Sequence, residues 1–222
     1  MRLKDIVSKI SPAEIPNKLR ERSEALRSLS SEIDRLPRAN ASSAYSSLIK
    51  RIAYELDSLT LFYPKAVEAL AMCTRNIFEL NLIVRHTLAD PANLAAWLGQ
   101  CIGDEKDVIE GVLKLVDSPI QARGELNQRL LELDSISKRF GIQSAKPFNV
   151  RKLADNEGLL KEYDSLFKIY SKYVHPSSWI VNSPDNEGFL TPADAANIFI
   201  IHSQIYAEDS HVKIRGWLAK DS

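Results

Sequence analysis

The stretch from Ala66 to Leu88 constrains the chain more than any other, because it is apolar on almost every side for about six turns. A helix of that kind has to lie inside an assembly of other helices. At 100° per residue Glu68, Arg75, Glu79 and His86 fall, with Met72 and Leu82, on one narrow stripe. Charged groups on a central helix must be paired or reach solvent through a cleft. Arg75 and Glu79, four apart, form either a structural ion pair or one wall of a polar pocket.

The neighbouring segments carry helix signals of their own. Ser11, Pro12 and Glu14 supply a cap, a first-turn proline and a capping acid, and Leu19, Leu26, Leu29, Ile33 and Leu36 repeat at helical spacing until Pro37. Asn40 to Ser43 reads as a polar connection. Leu48, Ile52, Leu56, Leu59 and Tyr63 then mark a second helix running to Tyr63-Pro64. Asp90-Pro91 closes the central helix and caps the next, which Gly99 and Gly103 are expected to interrupt before Val108, Val112, Leu115 and Val116 resume it. Ser118, Pro119 and Gln121 begin another helix, stopped by Gly141. After a long connection, in which Val150 to Ala154 has room for one helical turn, helix resumes over Leu159 to Val174. Thr191, Pro192 and Asp194 start the last, with Ala195, Ile198, Phe199, His202 and Ile205 inward. No stretch alternates as a strand would. The expectation is an all-α fold, an antiparallel bundle of six to eight helices forming a single domain over residues 1–222, with 1–40 as an N-terminal helical extension.

Composition limits the partners. Lys plus Arg and Asp plus Glu both number 29, so a global attraction to nucleic acid is absent and any such contact needs a local patch. The two cysteines, Cys73 and Cys101, lack a wider framework and read as buried thiols of a reducing compartment. The central stretch holds too many ionisable groups for a membrane span, and no early segment has signal-peptide character. A cytoplasmic protein with no membrane partner is expected.

The second informative stretch is LFKIYSKYVHPSSW. Tyr163, Phe167, Tyr170 and Val174 form an apolar stripe, with Lys168, Ser171 and His175 on its flank. His175 precedes a proline and so ends the helix, a place from which it can donate to a leaving group, hold a phosphate or simply cap. His86 is expected to join the same cleft. His202 reads as a satisfied core residue and His211 as a solvated one. No pair of histidines has ligand spacing, no cofactor fingerprint is present, and neither a glycine-flanked nucleophile nor a phosphate loop appears, so neither metal nor cofactor is expected.

Arg75-Asn76-Ile77-Phe78-Glu79, followed much later by Tyr170-Ser171-Lys172-Tyr173-Val174-His175-Pro176, resembles an uncharacterised prokaryotic helical family allied to the HEPN-like superfamily. The resemblance is centred on residues 45–205 and implies a defence or toxin-antitoxin setting. It also implies metal-independent ribonuclease chemistry, usually in a homodimer. Nuclease members carry an arginine separated from the histidine by four to six residues, where this chain has Lys168, so the planar guanidinium fork has to come from Arg75. Two functions stay open: a non-enzymatic interaction module with a homodimeric or other protein partner, and an RNA-binding protein or endoribonuclease. In the second, Arg75, Glu79 and His175 carry the chemistry while Lys168, Tyr170, Ser171 and His86 contact substrate. All three of the former are expected to meet in one partly open cleft.

Overall fold

The computed structural model describes residues 11–37, 39–115, 120–175, 177–182 and 191–221, and every regular element among them is helical. In chain order these are α1 Ile15–Ile33, α2 Asn40–Phe62, α3 Val67–Ala89, α4 Pro91–Leu113, α5 Ile120–Phe140, α6 Val150–Asn156, α7 over 160–174, α8 Ser178–Asn182 and α9 Pro192–Asp221. The short α6 and α8 lift the count above the expected eight among the described residues. Residues 1–10 of the expected N-terminal extension, Val116, the Ser118-Pro119 cap and Pro176 fall outside the described residues.

Local signals place most boundaries. The Ser11 backbone N–H and hydroxyl both donate to Glu14 at 2.9 Å, and α1 starts one residue later. Asp90 accepts from the Ala92 N–H at 2.8 Å with Pro91 in the first turn of α4. Gly141, at φ 64°, terminates α5 in the left-handed conformation. Thr191 and Asp194 cap α9 reciprocally, the Thr191 hydroxyl donating to Asp194 at 2.6 Å and accepting from its N–H at 3.2 Å. Two expectations need correction. Asn40 to Ser43 is the first turn of α2 and not a connection, because the Ser42 hydroxyl accepts the Ala39 N–H at 3.1 Å and supplies the missing cap.

The second correction concerns α4, which runs unbroken through Gly99 and Gly103. A Cβ on Gly99 would sit 2.0 Å from the Gln143 carbonyl oxygen, and one on Gly103 would sit 2.4 Å from that of Ala145. The Ala145 N–H donates to the Gly99 carbonyl at 3.1 Å. These glycines let the chain after α5 lie directly on the helix backbone. Close approach, not helix breaking, is their role.

The chain, read from its sequence as one domain, separates into two compact units: Met1–Arg85 with Leu153–Ser222, and His86–Lys152. In the first, α1 lies along α2, and Leu19, Leu29, Ile33, Ile49, Ile52, Leu56 and Leu59 have no exposure at all. The helix read as an extension therefore supplies core. Against α3, an aromatic group closes the other side, Phe78 meeting Tyr206 at 4.9 Å and Phe167 at 5.9 Å between centroids. The second unit is a smaller hairpin of α4 and α5 around Ile102, Ile109 and Leu133. Arg129 forks across it to both oxygens of Glu105 at 2.7 and 3.2 Å.

Candidate functional site

The Arg75-Asn76-x-x-Glu79 run on α3 divides between two neighbours. Ile77 and Phe78 point into the core with no exposure, and Asn76 turns toward α2, where its amide donates to Glu55 at 3.2 Å. Arg75 and Glu79 face α7. The Arg75 Nε donates to Glu79 Oε1 at 3.0 Å, and its Nη1 lies 3.3 Å from Nε2 of His175, a hundred positions away in sequence. Its guanidinium also lies over the Phe167 ring, 4.9 Å from the centroid. Side-chain exposures of 26% for Arg75 and 30% for Glu79, with His175 exposed, leave the group open to solvent rather than sealed as a core network.

Two local features of α7 produce this arrangement. Its middle, Tyr163–Phe167, is a π-helical turn, which brings Tyr163 and Phe167 into a stack at 4.7 Å and presents Phe167 beneath Arg75. Its end is His175, whose backbone becomes extended at φ -102° and ψ 148° while its N–H still bonds the Ser171 carbonyl at 3.1 Å. Arginine has no acceptor, so the contact with Nη1 requires His175 Nε2 to be the accepting nitrogen. That contact therefore calls for neutral imidazole with its proton on Nδ1.

The four remaining expected residues have four different placements. Lys168 is exposed and stands 3.6 Å from Asp164 one turn back, a solvated pair beside the site. Ser171 is half-buried within the last turn of α7. Tyr170 must be corrected: it has no exposure, its ring meets Phe199 edge-on at 5.5 Å, and burial pushes its phenol far up. A sealed ring cannot stack on a substrate. The stripe that suggested Tyr170 is simply the buried face of α7.

His86 belongs to the second unit, where its ring meets Phe148 edge-on at 5.2 Å and its carbonyl accepts from Asn93. His202 agrees with its reading as a satisfied residue of the inner face: Nδ1 lies 2.8 Å from the Ile198 carbonyl, and burial holds its affinity for protons low. His211, expected to be solvated, is half-buried, and burial lowers its pKa against the opposing pull of Glu208. Cys101 is exposed, contrary to expectation, whereas Cys73 is buried.

Sequence reading missed Glu55, a carboxylate with a side chain only 3% exposed. Arg51 reaches it at 2.6 Å from the surface, Asn76 donates to it, and the adjacent Cys73 thiol is pushed up to about 12, by burial first and then by this carboxylate. A signal did exist: Glu55 stands seven residues after Leu48, on the apolar stripe of α2. A charge at such a position needs partners from another helix.

Among the described residues, no three His, Cys, Asp or Glu side chains gather in a way that would hold a metal ion, and no helix is long and apolar enough to cross a membrane. The candidate site is thus one guanidinium, one carboxylate that orients it, one imidazole and an aromatic floor. Comparison of the chain with protein-family models, with curated proteins and with solved structures gave no match.

Proposed function

We propose that the first unit is a HEPN-like, antiparallel helical domain that binds RNA at a phosphodiester and cleaves it without a metal ion. The observation that carries this reading is the Arg75 guanidinium, fixed by Glu79 through Nε and resting with Nη1 on His175 at a solvent-reached surface. Arginine in this setting offers a planar fork to phosphate. When a phosphate oxygen takes Nη1, Nε2 of His175 is released as a base. It then accepts the proton of the 2′-hydroxyl, whose oxygen attacks phosphorus as the bond to the 5′-oxygen breaks, leaving a 2′,3′-cyclic phosphate and, after protonation by water, a 5′-hydroxyl. Arg75 stabilises the charge on the phosphoryl oxygens, and Glu79 is a positioning residue. Lys168 adds a flexible point charge on the flank.

Purified protein in chelator, incubated with mixed cellular RNA, is expected to yield fragments with cyclic phosphate ends, and H175A and R75A are expected to lose them. Intact RNA with the parent, or equal cleavage by all three, would refute the reading. E79Q should weaken RNA binding without changing the products.

A second reading, a non-enzymatic interaction module within a defence or toxin-antitoxin assembly, is favoured by the other unit. Val108, Leu115 and Leu131 there are 66%, 62% and 62% exposed, and the chain has no net charge to draw it to RNA. Native co-purification with a protein partner or a homodimer by light scattering, with no RNA cleavage, would support it. A monomer recovered alone would count against it.

A further inference from the structure

We propose that a base-recognition subsite adjoins Arg75 and His175, in which Met72 and Trp179 supply the apolar surface for one unpaired base and Glu68 selects guanine. The subsite rests on the RNA reading for its place in a longer substrate, but its own ligand is a nucleoside. Three observations converge on it. Met72 and Trp179 are large apolar side chains left 45% and 38% exposed, and Met72 lies three residues before Arg75 on the same stripe of α3 as Glu68. Trp179 meets Tyr173 edge-on at 5.7 Å, and Tyr173 is in turn anchored on Phe199 at 5.3 Å. Glu68, exposed on α3, is near enough to Tyr173 for its charge to add to burial in raising that phenol.

Tyr173, which holds Trp179 by ring contact, stands two residues before His175, whose ring touches Arg75, so α7 ends beside the α3 stripe that carries Glu68 and Met72. The indole is not left to a loose chain: the Ser177 hydroxyl donates to the Lys172 carbonyl at 3.1 Å and accepts the Ile180 N–H at 3.3 Å, tying α8 to the end of α7. An exposed indole and a thioether beside a phosphate-binding guanidinium are what an unstacked base needs, since base–aromatic stacking is tolerant of sequence and unavailable to a duplex. Selection then comes from the carboxylate, which only accepts hydrogen bonds. Guanine presents two adjacent donors, N1–H and the N2 amino group, to its two oxygens. Adenine and cytosine each set an acceptor beside their amino group, and uracil flanks its single N–H with carbonyls, so all three repel one carboxylate oxygen.

Guanosine, adenosine, cytidine and uridine, titrated separately against the full chain and read by saturation-transfer NMR, test this. Guanosine is expected to bind at least fivefold more tightly than the others. E68Q is expected to erase that preference, W179A to weaken every nucleoside by roughly tenfold, and R75A to leave guanosine binding in place because a nucleoside carries no phosphate. M72A, checked by circular dichroism alongside, makes the same test if W179A fails to fold. No transfer to guanosine, or a preference that survives E68Q, overturns the subsite. Arg75-dependent RNA binding with no nucleoside selection overturns it while the phosphate reading stands, and guanosine selection without RNA binding supports it while overturning that reading.

Discussion

The two units bury their apolar residues to very different degrees. In the first, the α1–α2 face alone contributes seven side chains with no exposure, and α3 adds Leu70, Ala71, Ile77, Phe78, Leu82 and Val84. In the second, the core side chains Ile102, Ile109 and Leu133 keep 6%, 6% and 3%, while Val108, Leu115, Leu131 and Phe140 face solvent. In the hairpin α4 and α5 bury mainly the faces they turn to each other, with the 143–145 segment on a second side of α4. A central helix such as α3 has neighbours on several sides, and there the Arg75 guanidinium meets a carboxylate, an imidazole and an aromatic ring together, whereas Arg129 of the hairpin meets carboxylates alone. The contrast teaches that the first unit holds both the stability and the site.

Truncating the first core should therefore have the largest effect. Phe78→Ala or Leu56→Ala is expected to cost about 3–5 kcal/mol, lowering the denaturant midpoint of the whole first unit, because both side chains are fully buried. Ile109→Ala in the second unit should cost about 2 kcal/mol and raise amide exchange in 86–152 only. Equal losses by both routes, with exchange rising everywhere, would dissolve the distinction.

Next comes Gly99→Ala. Its methyl would meet backbone oxygen at 2.0 Å, so the 143–145 segment has to lift from α4 at a cost of about 1–3 kcal/mol. Hydrogen exchange should show lost protection in the second unit and none in α1 or α2; a neutral substitution would mean that the close approach is not what the glycine serves. A smaller effect is expected at Arg75 and Glu79. With both about a quarter to a third exposed, a double-mutant cycle should give a coupling of about 0.5–1 kcal/mol, well short of a buried pair. A coupling near zero would mean that Glu79 does not hold the guanidinium.

The last test uses pH and concerns the first unit alone. Burial lowers the pKa of both His202 and His211, the latter among Glu208, Arg215, Arg22 and Glu32, so the unfolded chain takes up protons before the folded one does. Stability is therefore complete above the ordinary histidine value of 6.5 and is lost as pH falls through the depressed folded values. The melting temperature of the first unit should drop between pH 7.5 and 5.5, and H211Q should flatten that slope. A melting temperature that rises on acidification would contradict the burial argument.

How much of this was legible in sequence depends on how local each signal is. Caps at Asp90 and Thr191 and the stop at Gly141 involve residues within four positions of one another, and each forms where its pattern places it, whereas Ser11 and Glu14 bond each other in a turn and the helix begins only at Ile15. The apolar stripes of α1 and α2 likewise foretold which faces go inward. Sequence misjudged Gly99, because a glycine that weakens an isolated helix looks the same as one that admits another segment. It misjudged Tyr170 because polarity at one atom does not say whether the ring reaches solvent, and it passed over Glu55 because its partner Asn76 lies on another helix.

By itself the sequence determined that the regular elements of the described residues are helices, where most of them start and stop, and that Arg75 and Glu79 share one face of α3, since these follow from 3.6-residue periodicity and short-range hydrogen bonding. Only the tertiary structure decided that α7 carries a π turn placing Phe167 under Arg75, that the extended backbone at His175 turns its ring to the guanidinium, and that Tyr170 is sealed away. Those outcomes depend on how much space neighbouring helices leave one another, a quantity that no window of a single helix contains.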